Sequence, residues 1–198
     1  MSPRSQLRSM AGYSLLELLV VMVIIGAIAL PLSTYLIKGL GTYNFVQIQS
    51  DTSLELETLA DRVTRVLRGA TSIDTASPNT LIVYGYFSPQ DTTIKKIRYF
   101  ISGTNLNIGV TPPSGTAPNY TFPSANEVVS TSRVDLSMGS NPLFTYYDDA
   151  ENLLTGSFTP GQVKEIGIFV SANPNTKQVR VPISISTKVT LRNLKTNL

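Results

Sequence analysis

The chain has 198 residues, a formal net charge of +3, and neither cysteine nor histidine. Without these two residue types it cannot form disulfides, thiolate or imidazole metal sites, cysteine nucleophiles or serine–histidine triads. The small net charge argues against nucleic acid as the main ligand, because that affinity depends on many phosphate contacts. The length suits one anchor helix followed by one modest domain.

A long apolar run lies near the start of the chain, and Glu17 is the one charged residue between Arg8 and Lys38. As a helix, about twenty-five residues span roughly 37 Å, which is enough to cross a bilayer at a tilt. Arg4 and Arg8 precede the run, so the positive-inside rule places the start of the chain in the cytoplasm and the remainder outside. A carboxylate in a membrane helix costs up to about 3.5 kcal/mol on insertion scales, so we expect Glu17 to have a partner.

The residues around Glu17 resemble the class III signal of type IV prepilins and type II secretion pseudopilins. In that family a short basic leader ends in glycine, and the prepilin peptidase cuts after it. The residues that match are Gly12 before the cut, then Tyr13, Ser14, Leu15, Leu16 and Glu17 after it. Tyr13 replaces the usual phenylalanine and remains aromatic. The resemblance implies that residues 1–12 are a removed leader and that Tyr13 becomes an N-methylated N-terminus.

The resemblance also implies a partner for Glu17. After cleavage Tyr13 would carry a cationic α-amine, and in the family's filaments the glutamate of one subunit meets the amine of its neighbour. Pairing two otherwise costly charges in an apolar core gives register as well as attraction. The implied partners are the prepilin peptidase, other pilin or pseudopilin subunits, an inner-membrane assembly platform and, before assembly, membrane lipid.

An amphipathic helix and a series of strands are predicted beyond the apolar run. Spacings of three and four predict one helix face formed by Leu56, Leu59, Ala60, Val63, Val66 and Leu67. Gly69 is expected to end this helix. Patterns rich in β-formers predict strands over residues 80–87, 94–102, 106–110, 143–147, 163–170 and 178–191. Pro182 favours an edge position for the last strand, and the proline-rich residues 111–126 predict an exposed loop.

These elements predict an α+β fold with a pilin-like layout. A long N-terminal helix, transmembrane in its first half and amphipathic in its second, is expected to pack on a mostly antiparallel β-sheet. The expected divisions are a leader at 1–12, a transmembrane and polymerisation helix at 13–42, and an exported globular domain at 43–198.

Softer motifs in the C-terminal part resemble minor pilins and pseudopilins of the J/W type. They lie at residues 62–70, 146–154, 163–168 and 189–194. In that group the proteins are low-abundance subunits near the filament tip that help to start assembly. These residues do not distinguish a type IV pilus from a competence pilus or a type II secretion pseudopilus.

Two charged or polar clusters each have two interpretations. Arg62, Arg65 and Arg68 form a basic stripe, which is either a solvated helix flank or a contact with an acidic neighbouring subunit. The second cluster groups oxygen donors, namely Asp148, Asp149, Glu151 and Asn152. Some pseudopilins bind calcium, but the spacing lacks the glycine and the distal glutamate of an EF-hand, so a turn between strands is favoured.

Aromatic side chains are concentrated in the predicted strands. They are Tyr84, Tyr86, Tyr99, Tyr146 and Tyr147. Such a set could stack a sugar or a base, but on alternating strands it is more typical of core and rim positions. We therefore predict a structural role for them.

The sequence predicts a structural assembly protein and not an enzyme, with no cofactor, no metal and no small-molecule substrate. The expected protein is a minor pilin or pseudopilin that assembles into, or primes, a type IV pilus or a type II secretion pseudopilus. It is expected as a single-pass inner-membrane protein with an exported C-terminal domain, and later in the pilus or pseudopilus. The alternative is a membrane-tethered binding module, an adhesin or DNA-capturing subunit that uses the proline-rich loop.

Overall fold

The computed structural model describes residues 14–174 and 182–191. Helix α1 spans Leu15–Arg68, and the strands of two antiparallel sheets follow it. The chain divides into two compact units, Met1–Val46 and Gln47–Leu198. The expected α+β class, with one long N-terminal helix and antiparallel strands, is confirmed. The expected division at residue 43 stays a prediction.

The N-terminal half of α1, which belongs to the first unit, has apolar residues on all its faces. These residues are exposed, for example Leu15 at 85% and Leu30 at 73%. Among the described residues, one helix, α1, is long enough and apolar enough to cross a membrane. A helix that is apolar all round needs lipid or other helices to cover it.

The C-terminal half of α1, which belongs to the second unit, buries one face. The predicted face is confirmed: Leu59 is half-buried, and the buried members are Leu56, Ala60, Val63, Val66 and Leu67. The helix ends at Arg68, and the Gly69 N–H donates to the Val66 carbonyl at 3.1 Å. This tightened last turn satisfies a carbonyl that the helix would otherwise leave open.

The first sheet has five strands in sequential order, and every pairing in it is antiparallel. The strands are β1 Ala70–Ser77, β2 Thr80–Gly85, β3 Lys95–Ser102, β4 Asn105–Thr111 and β5 Val128–Thr131. Gly103 lies in the tight turn between β3 and β4 with φ +64°, a conformation that glycine adopts without steric cost.

The second sheet has four strands in the order β7-β6-β8-β9. They are β6 Phe144–Tyr147, β7 Leu153–Leu154, β8 Glu165–Ala172 and β9 Ile183–Thr190. Pro182 comes directly before β9, which is an edge strand, as the sequence predicted. The same segment of the prediction began at residue 178, and residues 178–181 lie outside the described part of the chain.

Buried side chains from α1 and from both sheets form one hydrophobic core. The rings of Tyr99 on β3 and Phe144 on β6 meet edge to face with centroids 6.3 Å apart. The Tyr146 hydroxyl donates to the Ser77 carbonyl at 2.7 Å and so ties β6 to β1. Aromatic packing and a partly buried hydrogen bond thus join the two sheets.

The sequence prediction missed the division into two sheets and three of the strands. It expected one sheet, and it assigned no strand to β1, β5 or β7. β1 is rich in small and polar residues, and its pairing with β2 has two register shifts. β5 has four residues and β7 has two, which is too short for an alternating pattern to be recognised. The expected loop at 111–126 contains an isolated bridge and one short 3-10 turn, Ser124–Asn126.

Candidate functional site

Ser14 caps the N-terminus of α1. The Glu17 N–H donates to the Ser14 hydroxyl at 3.2 Å and to the Ser14 carbonyl at 3.0 Å, and the Leu18 N–H donates to the same carbonyl at 3.2 Å. The spacing Ser-x-x-Glu is that of a capping box, in which serine satisfies a free helical N–H. Ser14 is therefore the N-cap of α1, directly before its first residue, Leu15.

Glu17 lies in the first turn of α1 and is exposed. The positive end of the helix dipole favours a carboxylate at this position. None of the four ion pairs among the described residues includes Glu17. In that part of the chain, the Glu17 carboxylate oxygens also accept no hydrogen bond, since the one side-chain bond at this residue is made by its backbone N–H. A carboxylate set among apolar residues is costly without a partner, and the described part of this chain supplies none.

The hydroxyl groups of the apolar stretch bind their own helix. The Ser33 and Thr34 hydroxyls both donate to the Leu30 carbonyl at 2.9 Å. Such back-bonding satisfies a hydroxyl without any partner from another chain. From residue 15 to residue 34, Glu17 is thus the one polar side chain that the helix itself does not satisfy.

The three predicted site residues stand differently in the structure. Glu17 lies within the described residues, whereas Gly12 and Tyr13 lie outside them. Their roles in cleavage, N-methylation and charge pairing stay predictions. The capping role of Ser14 was missed, although the spacing from Ser14 to Glu17 would have indicated it.

The oxygen-rich cluster forms the turn between β6 and β7. Asp148 accepts hydrogen bonds from the N–H groups of Ala150 at 2.9 Å and Asn152 at 2.8 Å, and from the Asn152 amide side chain at 3.1 Å. These bonds, that from the Asn152 backbone first, hold the pKa of Asp148 below its usual range. In the described part of the chain, no three acidic side chains converge on a possible metal position. The residues make the turn that the sequence favoured.

The basic stripe is exposed on α1, and the Arg62 guanidinium lies 5.1 Å from the centroid of the Phe87 ring. Arg62 therefore rests on an aromatic face of its own domain. This contact does not decide between a solvated flank and an intersubunit contact.

The tyrosines lie at core and rim positions, as predicted. Tyr99 and Tyr146 are buried, Tyr84 and Tyr147 are half-buried, and Tyr86 is exposed. Burial raises the pKa of both Tyr99 and Tyr146, because the charged phenolate would lose its hydration. Two of the five rings are thus unavailable for stacking with a ligand.

Comparison with known families matches residues 7–33 to the prokaryotic N-terminal methylation motif. The matched range contains Gly12, Tyr13 and Glu17. No curated protein matches the chain in sequence. The motif supports a type IV pilin-like or pseudopilin-like protein, and the α+β layout has the form expected of one. The signal implies processing by a prepilin peptidase and assembly with other pilins, and with the apolar helix it suggests a membrane-anchored protein with a C-terminal domain.

Proposed function

We propose that this chain is a minor pilin or pseudopilin of the J/W type, a structural subunit and not an enzyme. It is cut between Gly12 and Tyr13, N-methylated at Tyr13, and assembled into a type IV pilus or a type II secretion pseudopilus, or it primes that assembly. Before assembly it is a single-pass inner-membrane protein that meets the assembly platform. The observation that carries the proposal is Glu17, a carboxylate in the first turn of an apolar helix that has no ion-pair partner among residues 14–174 and 182–191.

The geometry gives Glu17 a defined place in the first turn of α1. Ser14 caps α1, so Glu17 lies one helical turn after Ser14, which is the second residue after the proposed cut in sequence. The α-amine of Tyr13 from a neighbouring subunit would supply the missing cation. Removing one partner from a buried ion pair costs about 3–5 kcal/mol, because the other charge remains unpaired. The pair can therefore control which neighbours pack stably.

The test of processing is N-terminal mass spectrometry on membranes from cells with an active prepilin peptidase. We expect the chain to start at Tyr13 and to carry the added mass of a methyl group. Gly12→Phe should leave the chain uncut, because the peptidase reads a glycine at this position. A wild-type chain that still starts at Met1 would refute the proposal.

The test of pairing is the incorporation of Glu17→Ala into filaments, measured by quantitative blotting of sheared filaments. We expect normal processing and a loss of incorporation of about tenfold or more, as follows from removing a charge partner. Ser33→Ala is the matched control, since it removes a polar group that already binds its own helix. Normal incorporation of the Glu17→Ala chain would show that the carboxylate is not needed for packing.

A further inference from the structure

Between Leu15 and Val46, helix α1 carries two charged residues. Glu17 lies in the first turn, and Lys38 is the next charged residue along the chain. The twenty residues between them, 18–37, are uncharged and helical throughout. Twenty helical residues rise about 30 Å, which is the thickness of the hydrocarbon core of a bilayer. The two charges therefore lie one hydrocarbon thickness apart along the helix.

The Lys38 side chain has no anionic partner among residues 14–174 and 182–191. It is exposed, and none of the four ion pairs in that part of the chain includes it. The Lys38 carbonyl accepts a hydrogen bond from the Thr42 hydroxyl at 3.0 Å, whereas the ammonium group donates none to a described residue. An ammonium group has three donors, so Lys38 can bind an anion that does not belong to the described chain.

Two exposed tyrosines flank Lys38 on the same helix. Tyr35 is 76% exposed and Tyr43 is 67% exposed. A tyrosine suits the boundary between hydrocarbon and headgroups, because its ring is apolar and its hydroxyl needs a polar partner. A lysine suits the same level, since its stem lies in hydrocarbon while its ammonium group reaches the headgroups. The aromatic rings and the charge thus mark one level along α1.

The polar side chains before and after Lys38 differ in how they are satisfied. Before it, the hydroxyls of Ser33 and Thr34 bind the Leu30 carbonyl of their own helix. After it, the Asn44 amide is exposed and makes no hydrogen bond to any described residue. An amide without a partner is costly in hydrocarbon. The helix before Lys38 therefore suits hydrocarbon, and the helix from Asn44 onwards suits water.

We propose that Lys38 binds phospholipid phosphate groups in the leaflet that faces away from the cytoplasm, with Tyr35 and Tyr43 beside it, so that the hydrocarbon core ends at residue 37. The inference rests on the membrane anchoring in the proposed function but not on assembly into a filament. About 30 Å away, Glu17 then lies at the level of the cytoplasmic headgroups. A carboxylate there costs less than one at the centre of the bilayer.

The first experiment uses the full chain in spheroplasts and exploits its lack of native cysteine. Ser33→Cys and Asn44→Cys place thiols before and after Lys38, about three helical turns apart and therefore on the same face of α1. A membrane-impermeant maleimide reacts with the thiolate, which forms in water and not in hydrocarbon. We expect Asn44→Cys to react at least about tenfold faster than Ser33→Cys, and the two to react equally once SDS dissolves the membrane.

Equal reaction of the two thiols in intact membranes would overturn the inference, and the common rate identifies the fault. Slow reaction at both would place the boundary beyond Asn44. Fast reaction at both, with the chain still in the membrane after carbonate extraction, would place the boundary before Ser33. Fast reaction at both, with the chain released by carbonate, would refute membrane anchoring itself and with it the proposed function.

A second experiment tests the phosphate contact by native mass spectrometry of the full chain in detergent with added phosphatidylglycerol. Lys38→Gln should retain about fivefold less lipid than the wild type, because the attraction between ammonium and phosphate is lost. Lys38→Arg should retain as much as the wild type, since a guanidinium group also binds phosphate. Lys164→Gln is the matched control, because it removes the same charge from the exported domain. Equal retention by Lys38→Gln and Lys164→Gln would overturn the assignment of Lys38 to lipid phosphate.

Discussion

The two halves of α1 use similar residues for opposite purposes. Leu19, in the first unit, is 58% exposed, whereas Leu56, in the second, is fully buried. The first half has no core of its own, so its apolar surface needs lipid or other helices to cover it. The second half completes the core of a folded domain. The comparison shows that the apolar residues of the first half suit an environment outside the chain, whereas those of the second half suit the core of their own domain.

The largest effect should separate buried from exposed leucines. Leu56→Ala should lower the free energy of unfolding by about 3 kcal/mol, because it leaves a cavity in the core. Leu54→Ala, two residues earlier and 57% exposed, should change it by less than about 0.5 kcal/mol. Urea unfolding of the full chain in detergent, followed by tyrosine fluorescence, measures both. Leu19→Ala should leave the same transition unmoved, and a shift there would break the comparison between the halves.

A smaller effect concerns Gly109 on β4. A Cβ atom at this position would overlap the Glu127 carboxylate, which Arg98 holds in a half-buried ion pair. Gly109→Ala should therefore destabilise the domain by about 1–2 kcal/mol. In the Glu127→Ala background the same change should be nearly neutral, and a double-mutant cycle by urea unfolding measures the coupling. Equal costs in the two backgrounds would show that Glu127 is not what excludes a side chain here.

Asp91 makes stability depend on acid. It accepts hydrogen bonds from Lys95 Nζ at 2.7 Å and from the N–H groups of Phe87 and Ser88 at 3.0 and 2.9 Å. The Lys95 side chain is the main cause that lowers its pKa in the folded state. Its contribution is therefore complete above the unfolded pKa of about 3.9 and is lost as pH falls through the folded value.

At pH 7, Asp91→Asn should cost about 1 kcal/mol, since a charge-assisted bond becomes a neutral one. The difference from the wild type should begin to shrink as pH falls below about 4 and should be lost only as pH falls through the lower pKa of Asp91 in the folded state, as measured by urea unfolding at each pH. The exposed Asp149→Asn is the control and should follow the wild type throughout. A constant difference for Asp91→Asn down to pH 2 would contradict the assigned contacts.

The smallest effect is expected at Tyr99. Its hydroxyl is buried and has no hydrogen-bond partner among the described residues. Tyr99→Phe should therefore leave stability unchanged within about 0.5 kcal/mol or raise it slightly, since an unsatisfied polar atom is removed. Tyr146→Phe is the matched control and should cost about 1 kcal/mol, because the Tyr146 hydroxyl donates to Ser77. A loss as large at Tyr99 as at Tyr146 would mean that the Tyr99 hydroxyl does have a partner.

The parts of the fold that the sequence predicted are those encoded by local periodicity. The buried face from Leu56 to Leu67 and the end of the helix at Gly69 follow from helical spacing, and the longer strands follow from β-rich segments. β5 and β7 are too short for such a signal, and the division into two sheets depends on pairings far apart in sequence, such as β6 with β8. At the site, the motif around Glu17 could be recognised from the sequence because a single charged residue stands at a fixed distance from Gly12 within a long apolar run.

The hydrogen bonds of the Ser33 and Thr34 hydroxyls to their own helix affect how easily α1 moves from a lipid bilayer into a protein interior. Each hydroxyl donates its hydrogen bond to the Leu30 carbonyl, so neither needs another partner in hydrocarbon or in a packed protein interior. The surface of α1 between residues 18 and 34 therefore has nearly the same solvation in either medium. In the proposed assembly, moving the helix from the bilayer into a filament would therefore alter mainly the environment of the Glu17 carboxylate.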